Sequence, residues 1–276
     1  LTEAQLAWLQ AQVPAEGIYH KVLYRRFQGL APKEAAPRCV HGQETSAPFL
    51  IRENGLRFEV SFTEGYSMGL FLDQRDNRRR LRTGYIGRDF WLGGAGHSGT
   101  GPVLHVLNTF AYTCGFSVAA ALAGAQVTSV DLSRNYLAWG RRNFQHNGLN
   151  PQEHEFLSGD VRDWLRRWQR QGRRFDVILL DPPTFSRSKS EGVFRVEKDL
   201  PALVTTAAGL LTSEGVLFVS TNAAEWPAPA FVDAMAQAIR RAGRCIVQQR
   251  YVPQPPDFPV HPQEPAYLKT LWCRLD

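Results

Sequence analysis

The stretch VLHVLNTFAYTCGFSVAAALAGAQVTSVDLS, Val103 to Ser133, decides the fold. It opens on an apolar run, Val103 to Leu107, long enough for one buried strand. Asn108 to Cys114 breaks the run with polar and small residues, and Gly115 to Ala123 is an Ala-rich helix that Gly124 is placed to end. Gln126 to Val130 is a second apolar run, closed by Asp131. Strand, loop, helix, strand and acid form the first half of a nucleotide-binding βαβ unit. An acid at that strand tip can accept both ribose hydroxyl protons, and it follows the loop at roughly the 20-residue spacing of dinucleotide sites. The loop lacks G-x-G-x-x-G, because Gly115 is the sole glycine between Asn108 and Ser117. A pyrophosphate needs close backbone approach to a bare helix terminus. A loop built from Asn108, Phe110, Tyr112, Thr113 and Gly115 suits a nucleoside without phosphates, and S-adenosylmethionine (SAM) is the candidate.

Beyond Asp131 and Leu132, Ser133 caps a helix running to Asn147, and Glu155 to Ser158 is a third strand. Asp160 and Val161 follow it, where an adenine would lie; Asp160 either accepts from the adenine amino group or only caps the next helix. Phe175 to Leu180 is a fourth strand and runs directly into Asp181-Pro182-Pro183-Thr184-Phe185. Two prolines fix two φ angles and remove two donors, so this turn is rigid and its carbonyls stay free. Asp181 and Phe185 then border the crevice at the carboxyl end of the sheet, with an aromatic ready to face a flat base. Leu200 to Leu211 is a helix, Gly215 to Ser220 a fifth strand ending in Ser220-Thr221-Asn222, and Ala228 to Ala242 a further helix. Two last strands, Cys245–Tyr251 and Tyr267–Arg274, flank a Pro-rich loop.

Upstream, residues 1–13 allow a short amphipathic helix, residues 31–49 read as loop, and the runs around Glu53-Asn54-Gly55 predict a β-hairpin. Gly69 to Arg82, GLFLDQRDNRRRLR, predicts a helix capped by Asp73 or Asp76. It is either a solvated basic face or a lid that brings Gln74 and Arg75 to the cofactor and offers Arg78 and Arg79 to phosphates. The segment GGAGHSGTG, 93–101, reads as a linker between a small α+β N-terminal domain, 1–92, and the sheet domain, 102–276.

The 276 residues carry a net charge of +6 and 43% hydrophobic residues, which predicts a globular fold and favours a polyanionic partner. Four scattered cysteines have no metal-ligand spacing, so no metal is expected and a reducing cytoplasm fits. No apolar run is long enough to span a membrane.

With NTFAYTCGFS, VDLSRNYLAWGRRNFQHNGL, LDPPTFSRSK and FVSTN together, the chain resembles class I SAM-dependent methyltransferases of the large-subunit ribosomal RNA group. The resemblance covers roughly residues 50 to 222 and looks nearest to the guanine-N7 enzyme of 23S rRNA, with 5-methylcytosine enzymes as cousins. It implies a Rossmann-like seven-stranded α/β sheet with helices on both faces and the last strand antiparallel. It also implies a SAM site of Phe110, Tyr112, Thr113, Gly115, Asp131, Leu132, Asp160 and Val161, with Asp181 and Pro182 by the methyl group and Gln74 and Arg75 closing over it. Phe185 would stack on an extruded base, and Thr184, Arg187, Asn222, Arg78 and Arg79 would complete the RNA site. Ser220-Thr221-Asn222 stands where the guanine enzyme has Ser-Asn-Asn, and the extra RNA-binding or second catalytic domain of related enzymes is not in this sequence. Making 5-methylcytosine needs a Cys nucleophile, and no cysteine lies at Asp181–Lys189 or Ser220–Asn222, so guanine N7 is favoured over cytosine. A methyltransferase of small molecules or proteins is the alternative, then a non-enzymatic RNA-binding factor.

Overall fold

The computed structural model describes residues 1–21, 36–45, 47–63, 67–93, 101–188, 192–258 and 266–276, with the side chains of 186–188 outside the description. These residues form two compact units, Leu1–Phe71 and Leu72–Asp276.

In the first unit, α1 (Glu3–Gln12) is fixed by a capping box from Thr2 and buries none of its residues, so the expected amphipathic face does not exist. Strands β1 (Gly17–His20) and β2 (Arg38–Gly42) pair antiparallel. Part of the expected 31–49 loop is therefore strand; its mostly exposed side chains left no apolar alternation to read. Strands β3 (Phe49–Glu53) and β4 (Leu56–Val60) form the expected hairpin. Asn54 and Gly55 turn it at φ of 50° and 81°, the paired positive angles that suit the twist of a two-residue hairpin.

The second unit opens with a 3₁₀ turn, Leu72–Gln74, that leads into α2 (Arg75–Thr83) and the short hairpin β5 (Tyr85–Gly87) and β6 (Phe90–Trp91). Then follow β7 (His105–Thr109), α3 (Gly115–Leu122), β8 (Gln126–Asp131), α4 (Arg134–His146), β9 (Glu155–Ser158), α5 (Val161–Gln171) and β10 (Phe175–Leu180). The remainder is a hairpin of β11 (Phe185–Ser188) and β12 (Gly192–Arg195), then α6 (Val196–Ala208), β13 (Leu211–Thr221), α7 (Ala228–Arg241), β14 (Ile246–Pro253) and β15 (Lys269–Leu275). The sheet has seven strands in the order β14-β15-β13-β10-β7-β8-β9. All neighbours are parallel except β15, antiparallel to both β13 and β14. This is the expected architecture, with the antiparallel last strand.

The chain divides between Phe71 and Leu72, not at the expected boundary after 92. The physical reason is α2, whose Asn77, Arg78 and Leu81 are buried against the sheet unit. Most of the expected 93–101 linker lies outside the described residues.

Strand order reverses between β7 and β10, which start the two halves of the sheet. The crossovers from β7 and β10 run to opposite sides, so a crevice opens at their carboxyl ends. Strand β10 is buried on both faces, which is why FDVILL reads as a continuous apolar run. Below the crevice, α4 packs closely on the loop after β7. A Cβ on Gly140 would lie 2.3 Å from the Cys114 Sγ and 2.8 Å from its Cβ, so only glycine permits this approach. Gly140→Ala is expected to lower unfolding stability by about 1–3 kcal/mol, as overpacked cores do. Adding Cys114→Ala should return part of that loss, because the sulfur is the nearer of the two clashing atoms. Denaturant unfolding of the single and double variants measures both.

Candidate active site

The loop from Asn108 to Cys114 links β7 to α3 and carries Phe110, Tyr112 and Cys114 at φ of 52°, 50° and 64°. Left-handed geometry at each non-glycine residue costs on the order of 1–3 kcal/mol, so surrounding contacts must hold it. They are on hand. The Asp131 carboxylate accepts from the Tyr112 N–H at 2.8 Å through one oxygen and from the Ser133 N–H at 2.8 Å through the other. The Ala111 N–H donates to Val130 O at 2.9 Å, and Asn143 Nδ2 to Thr113 O at 2.9 Å. Beneath the loop, buried Asn108 donates to Ser117 Oγ at 2.9 Å, and Ser117 meets Ser129 at 2.8 Å. Burial pushes the Asp131 carboxyl up, against the two backbone donors.

A second construction stands across the crevice. Gln74 Nε2 donates to Asp181 Oδ2 at 3.2 Å and to Ser220 Oγ at 2.8 Å. Gln74 Oε1 accepts from Asn77 Nδ2 at 2.9 Å, and Asn77 in turn meets Thr270 Oγ1 at 3.3 Å and accepts from Trp272 Nε1 at 3.0 Å. Thr270 Oγ1 donates to Val252 O at 2.7 Å. Thus α2, β10, β13, β14 and β15 share one chain of hydrogen bonds in which every Gln74 and Asn77 amide group has a partner. A buried polar chain rigidifies a site only when satisfied in this way. Asp73 takes the Tyr267 hydroxyl, and its carboxyl is pushed up by burial first, with Arg78 pulling the other way. Asp181 is pushed up to about 6, by burial first; Ser220 opposes the rise, the Asp73 charge adds to it, and Arg78 and Gln74 oppose it.

The expected residues fall as follows. Asn108, Phe110, Tyr112, Thr113, Gly115, Asp131, Leu132 and Ser133 surround the β7 and β8 tips, with Asn108 and Thr113 buried, Ser133 capping α4, and Leu132 left 48% exposed. Asp160 and Val161 follow β9. The Asp160 carboxylate accepts from the Arg162 N–H at 2.9 Å and pairs with the Arg162 guanidinium at 3.1 and 3.0 Å, so of its two expected tasks the structure displays the cap. Asp181, Pro182, Pro183, Thr184 and Phe185 follow β10, with Pro182 buried, Pro183 and Thr184 exposed, and Phe185 49% exposed. Asn222 is exposed just past β13. Arg75 is held in a fork by Asp257, both bonds at 2.5 Å. Arg78 is a correction: it is 2% exposed and 5.9 Å from the Phe116 ring, so α2 turns it inward and leaves Arg79 as the exposed neighbour. The Arg187 side chain lies outside the described residues.

Sequence reasoning placed Ser220 at the carboxyl edge but missed Asp73, Asn77, Tyr267 and Lys269 as parts of this region. Lys269 is buried and ties Ala223 O at 2.7 Å to Tyr267 O at 3.1 Å, joining the segment after β13 to the start of β15. Only polar residues spaced three apart in DQRDN hinted at it.

A strained phosphate-free loop, an acid at the second strand tip and a rigid Asp-Pro-Pro turn at the switch crevice fit a sulfonium nucleoside. Comparison with known proteins agrees. The family model described as S-adenosylmethionine-dependent methyltransferase matches residues 2–274, and the chain belongs to that family. A relative in Psychrobacter cryohalolentis, named ribosomal RNA large subunit methyltransferase K/L, is 42% identical over 63% of this chain and 20% of its own length. One in Aeromonas salmonicida, named ribosomal RNA large subunit methyltransferase I, is 33% identical over 96% of this chain and 63% of its own. A solved structure described as that of a methyltransferase complexed with SAH superposes at a TM-score of 0.78, at 31% identity, over 98% of this chain and 64% of the other. The chain therefore spans between a fifth and just under two thirds of these relatives.

The raised carboxyl of Asp181 has a thermodynamic consequence. Folded Asp181 holds its proton up to about pH 6, whereas an unfolded aspartate releases it near about pH 3.9. Between these values the folded chain binds more protons, so the Asp181 contribution to stability falls as pH rises from about 4 to about 6 and then levels. Asp181→Asn, which keeps an acceptor for Gln74 but has no charge to bury, should gain stability relative to wild type between pH 4 and pH 7. A pH-independent difference in unfolding midpoints would contradict the burial assigned to this carboxyl.

Proposed function

We propose that this chain methylates a base of large-subunit ribosomal RNA, with guanine N7 as the favoured acceptor. The observation that carries the reading is Asp181, a carboxylate fixed by Gln74 at the mouth of the switch crevice and followed by a rigid Pro-Pro turn and an exposed Phe185. The names of the relatives support the ribosomal RNA.

SAM, when bound, supplies an electrophilic methyl on a sulfonium. Asp131 offers its remaining lone pairs to the ribose hydroxyls, and exposed Leu132 with Val161 gives the adenine an apolar border. Asn108, Phe110, Tyr112, Thr113 and Gly115 shape the loop below the amino acid part, with Ser133 and Asp160 holding the flanking helix starts. Gln74 and Arg75 border the cofactor from α2, Gln74 through its hold on Asp181. Phe185 stacks on a base taken out of its helix, with Thr184, Asn222 and Arg79 about it. A purine N7 loses no proton on methylation, so it asks for alignment and for a negative group to offset charge that develops on the ring. Asp181 supplies the charge and the prolines the alignment.

The cysteines of the sheet unit support guanine over cytosine. Cys114 and Cys273 are wholly buried, and burial pushes each thiol up to about 12. Cys245 precedes β14 at the edge of the sheet opposite the crevice. None offers the thiolate that attack on a cytosine ring requires.

The test is transfer of labelled methyl from SAM to large-subunit RNA, beside a pool of proteins and small molecules. Label in RNA is expected. Tight SAM binding with label only in the other pool would replace RNA as the substrate. Asp181→Ala should cut transfer by about 10²–10³-fold, as loss of a group aimed at developing charge does, while SAH affinity stays within a few-fold. Full activity in that variant would overturn the role of Asp181.

A further inference from the structure

The hairpin of β5 and β6 carries two aromatic side chains that the fold does not need. Tyr85 and Trp91 stand opposite one another across the hairpin, with ring centroids 4.7 Å apart and planes tilted by 58°. They are 45% and 56% exposed, whereas their neighbours Ile86 and Phe90 are buried. The hairpin thus packs one face inward and leaves a tilted pair of rings in water.

Guanidinium groups lie along the hairpin. Arg79 and Arg80 come from α2, Arg88 from the hairpin turn and Arg250 from β14. Arg80 Nε donates to Ile86 O at 3.3 Å, which fixes that side chain beside the hairpin. Arg250 lies along the same hairpin, its Nε 3.4 Å from where a Cβ on Gly87 would stand. Acids nearby include Asp76, Asp89 and exposed Glu214, whose carbonyl shares the Arg274 guanidinium with that of Trp91, and Asp89 meets Arg88 at 3.9 Å with both side chains almost wholly in solvent. Such an exposed pair contributes little. The Arg80 guanidinium is held below its usual range, by burial first; Asp76 opposes this, and the Arg250 and Arg79 charges add to it. Like charges have been gathered here, and a polyanion would relieve them.

This surface joins the candidate active site through one helix. Gln74, immediately before α2, touches Asp181. The nine residues of α2 span about 13 Å at 1.5 Å per residue and lead past Arg79 and Arg80 to Tyr85. Flat rings interleaved with guanidinium groups suit unpaired bases and their phosphates. A protein partner would prefer a contact centre depleted of charge.

We propose that the β5–β6 hairpin, with exposed Arg79 and half-buried Arg80 of α2 and Arg250 of β14, forms a docking surface for single-stranded RNA flanking the target base. Bases stack on Tyr85 and Trp91, and Arg79, Arg80 and Arg250 hold phosphates. The inference rests on the RNA reading given above.

The test uses the full chain and a fluorescein-labelled single-stranded RNA of about 16 nucleotides, with anisotropy read over a salt series. Tyr85→Ala/Trp91→Ala should weaken binding by about tenfold or more, the loss expected of a stacking platform. Arg79→Glu/Arg250→Glu should also weaken it and reduce the salt slope by about two, one per phosphate contact. SAH affinity should match wild type in both variants, which certifies folding. Arg170→Glu, an exposed charge on α5, which packs with α6 and α7 on the sheet face opposite α2 and α3, should leave RNA affinity unchanged. Methyl transfer to ribosomal RNA by wild type separates the two claims. If wild type labels RNA and the aromatic variant binds it equally well, the docking surface is overturned, the proposed function stands, and the rings belong to a protein contact. If wild type neither binds nor labels RNA, both fall.

Discussion

The side-chain amide of Gln74 is the point at which distant parts of the sheet unit meet. It reaches Asp181 across 107 residues of sequence and Ser220 across 146, and its oxygen is held by Asn77. Each of these groups would cost free energy if buried alone, since an unpaired polar group in a protein interior costs about 1–3 kcal/mol. Together they satisfy one another, and the result is a half-buried carboxylate held in a fixed place. The raised Asp181 carboxyl is the electrostatic sign of that confinement. A cationic cofactor or a ring gaining positive charge is the natural partner of a charge kept in this way.

The opposite wall of the crevice rests on a different constraint. Three left-handed non-glycine residues in the loop 108–114 aim side chains and N–H groups in directions a relaxed turn would not provide. Asp131 holds the loop through the Tyr112 N–H and is itself steadied by the Ser133 N–H, and Gly140 lets α4 come close enough for Asn143 to fix the carbonyl of Thr113. Strain at such a site is stable only where its surroundings over-determine it, and here strand tip, helix start and neighbouring helix all contribute. The carboxylate proposed to hold the ribose is thus also the one that ties this loop to the second strand tip.

Much of this was legible because it was local. Buried parallel strands write themselves as apolar runs, so Phe175–Leu180 stands where the sequence puts it, and the half-buried edge strand Glu155–Ser158 does too. The Asn54-Gly55 turn and the Ser133 cap follow from chemistry within four residues. What was not legible depends on partners far away in sequence. Arg78 sits among arginines and reads as surface, yet α2 turns it inward with Asn77 and Leu81. The same burial moves the division of the chain to Phe71 and Leu72. Asp160 could serve an adenine or a helix start, and the Arg162 fork that engages it cannot be read from spacing. The β11–β12 hairpin after the Pro-Pro turn went unseen because β12 carries no alternation, with Phe194 its one buried residue.

Fold and cofactor class follow from the family, and the acceptor is the finer matter. The site supplies a fixed carboxylate, rigid carbonyls and an exposed ring, while the sheet unit's one exposed thiol, Cys245, lies away from the crevice and Cys114 and Cys273 are buried. Those components suit an acceptor that already has an in-plane lone pair. The most direct measurement is to digest methyl-labelled large-subunit RNA to nucleosides and identify the labelled one. The account predicts 7-methylguanosine. Label recovered as 5-methylcytidine would contradict it, because that product demands a nucleophilic cysteine where the crevice presents Asp181.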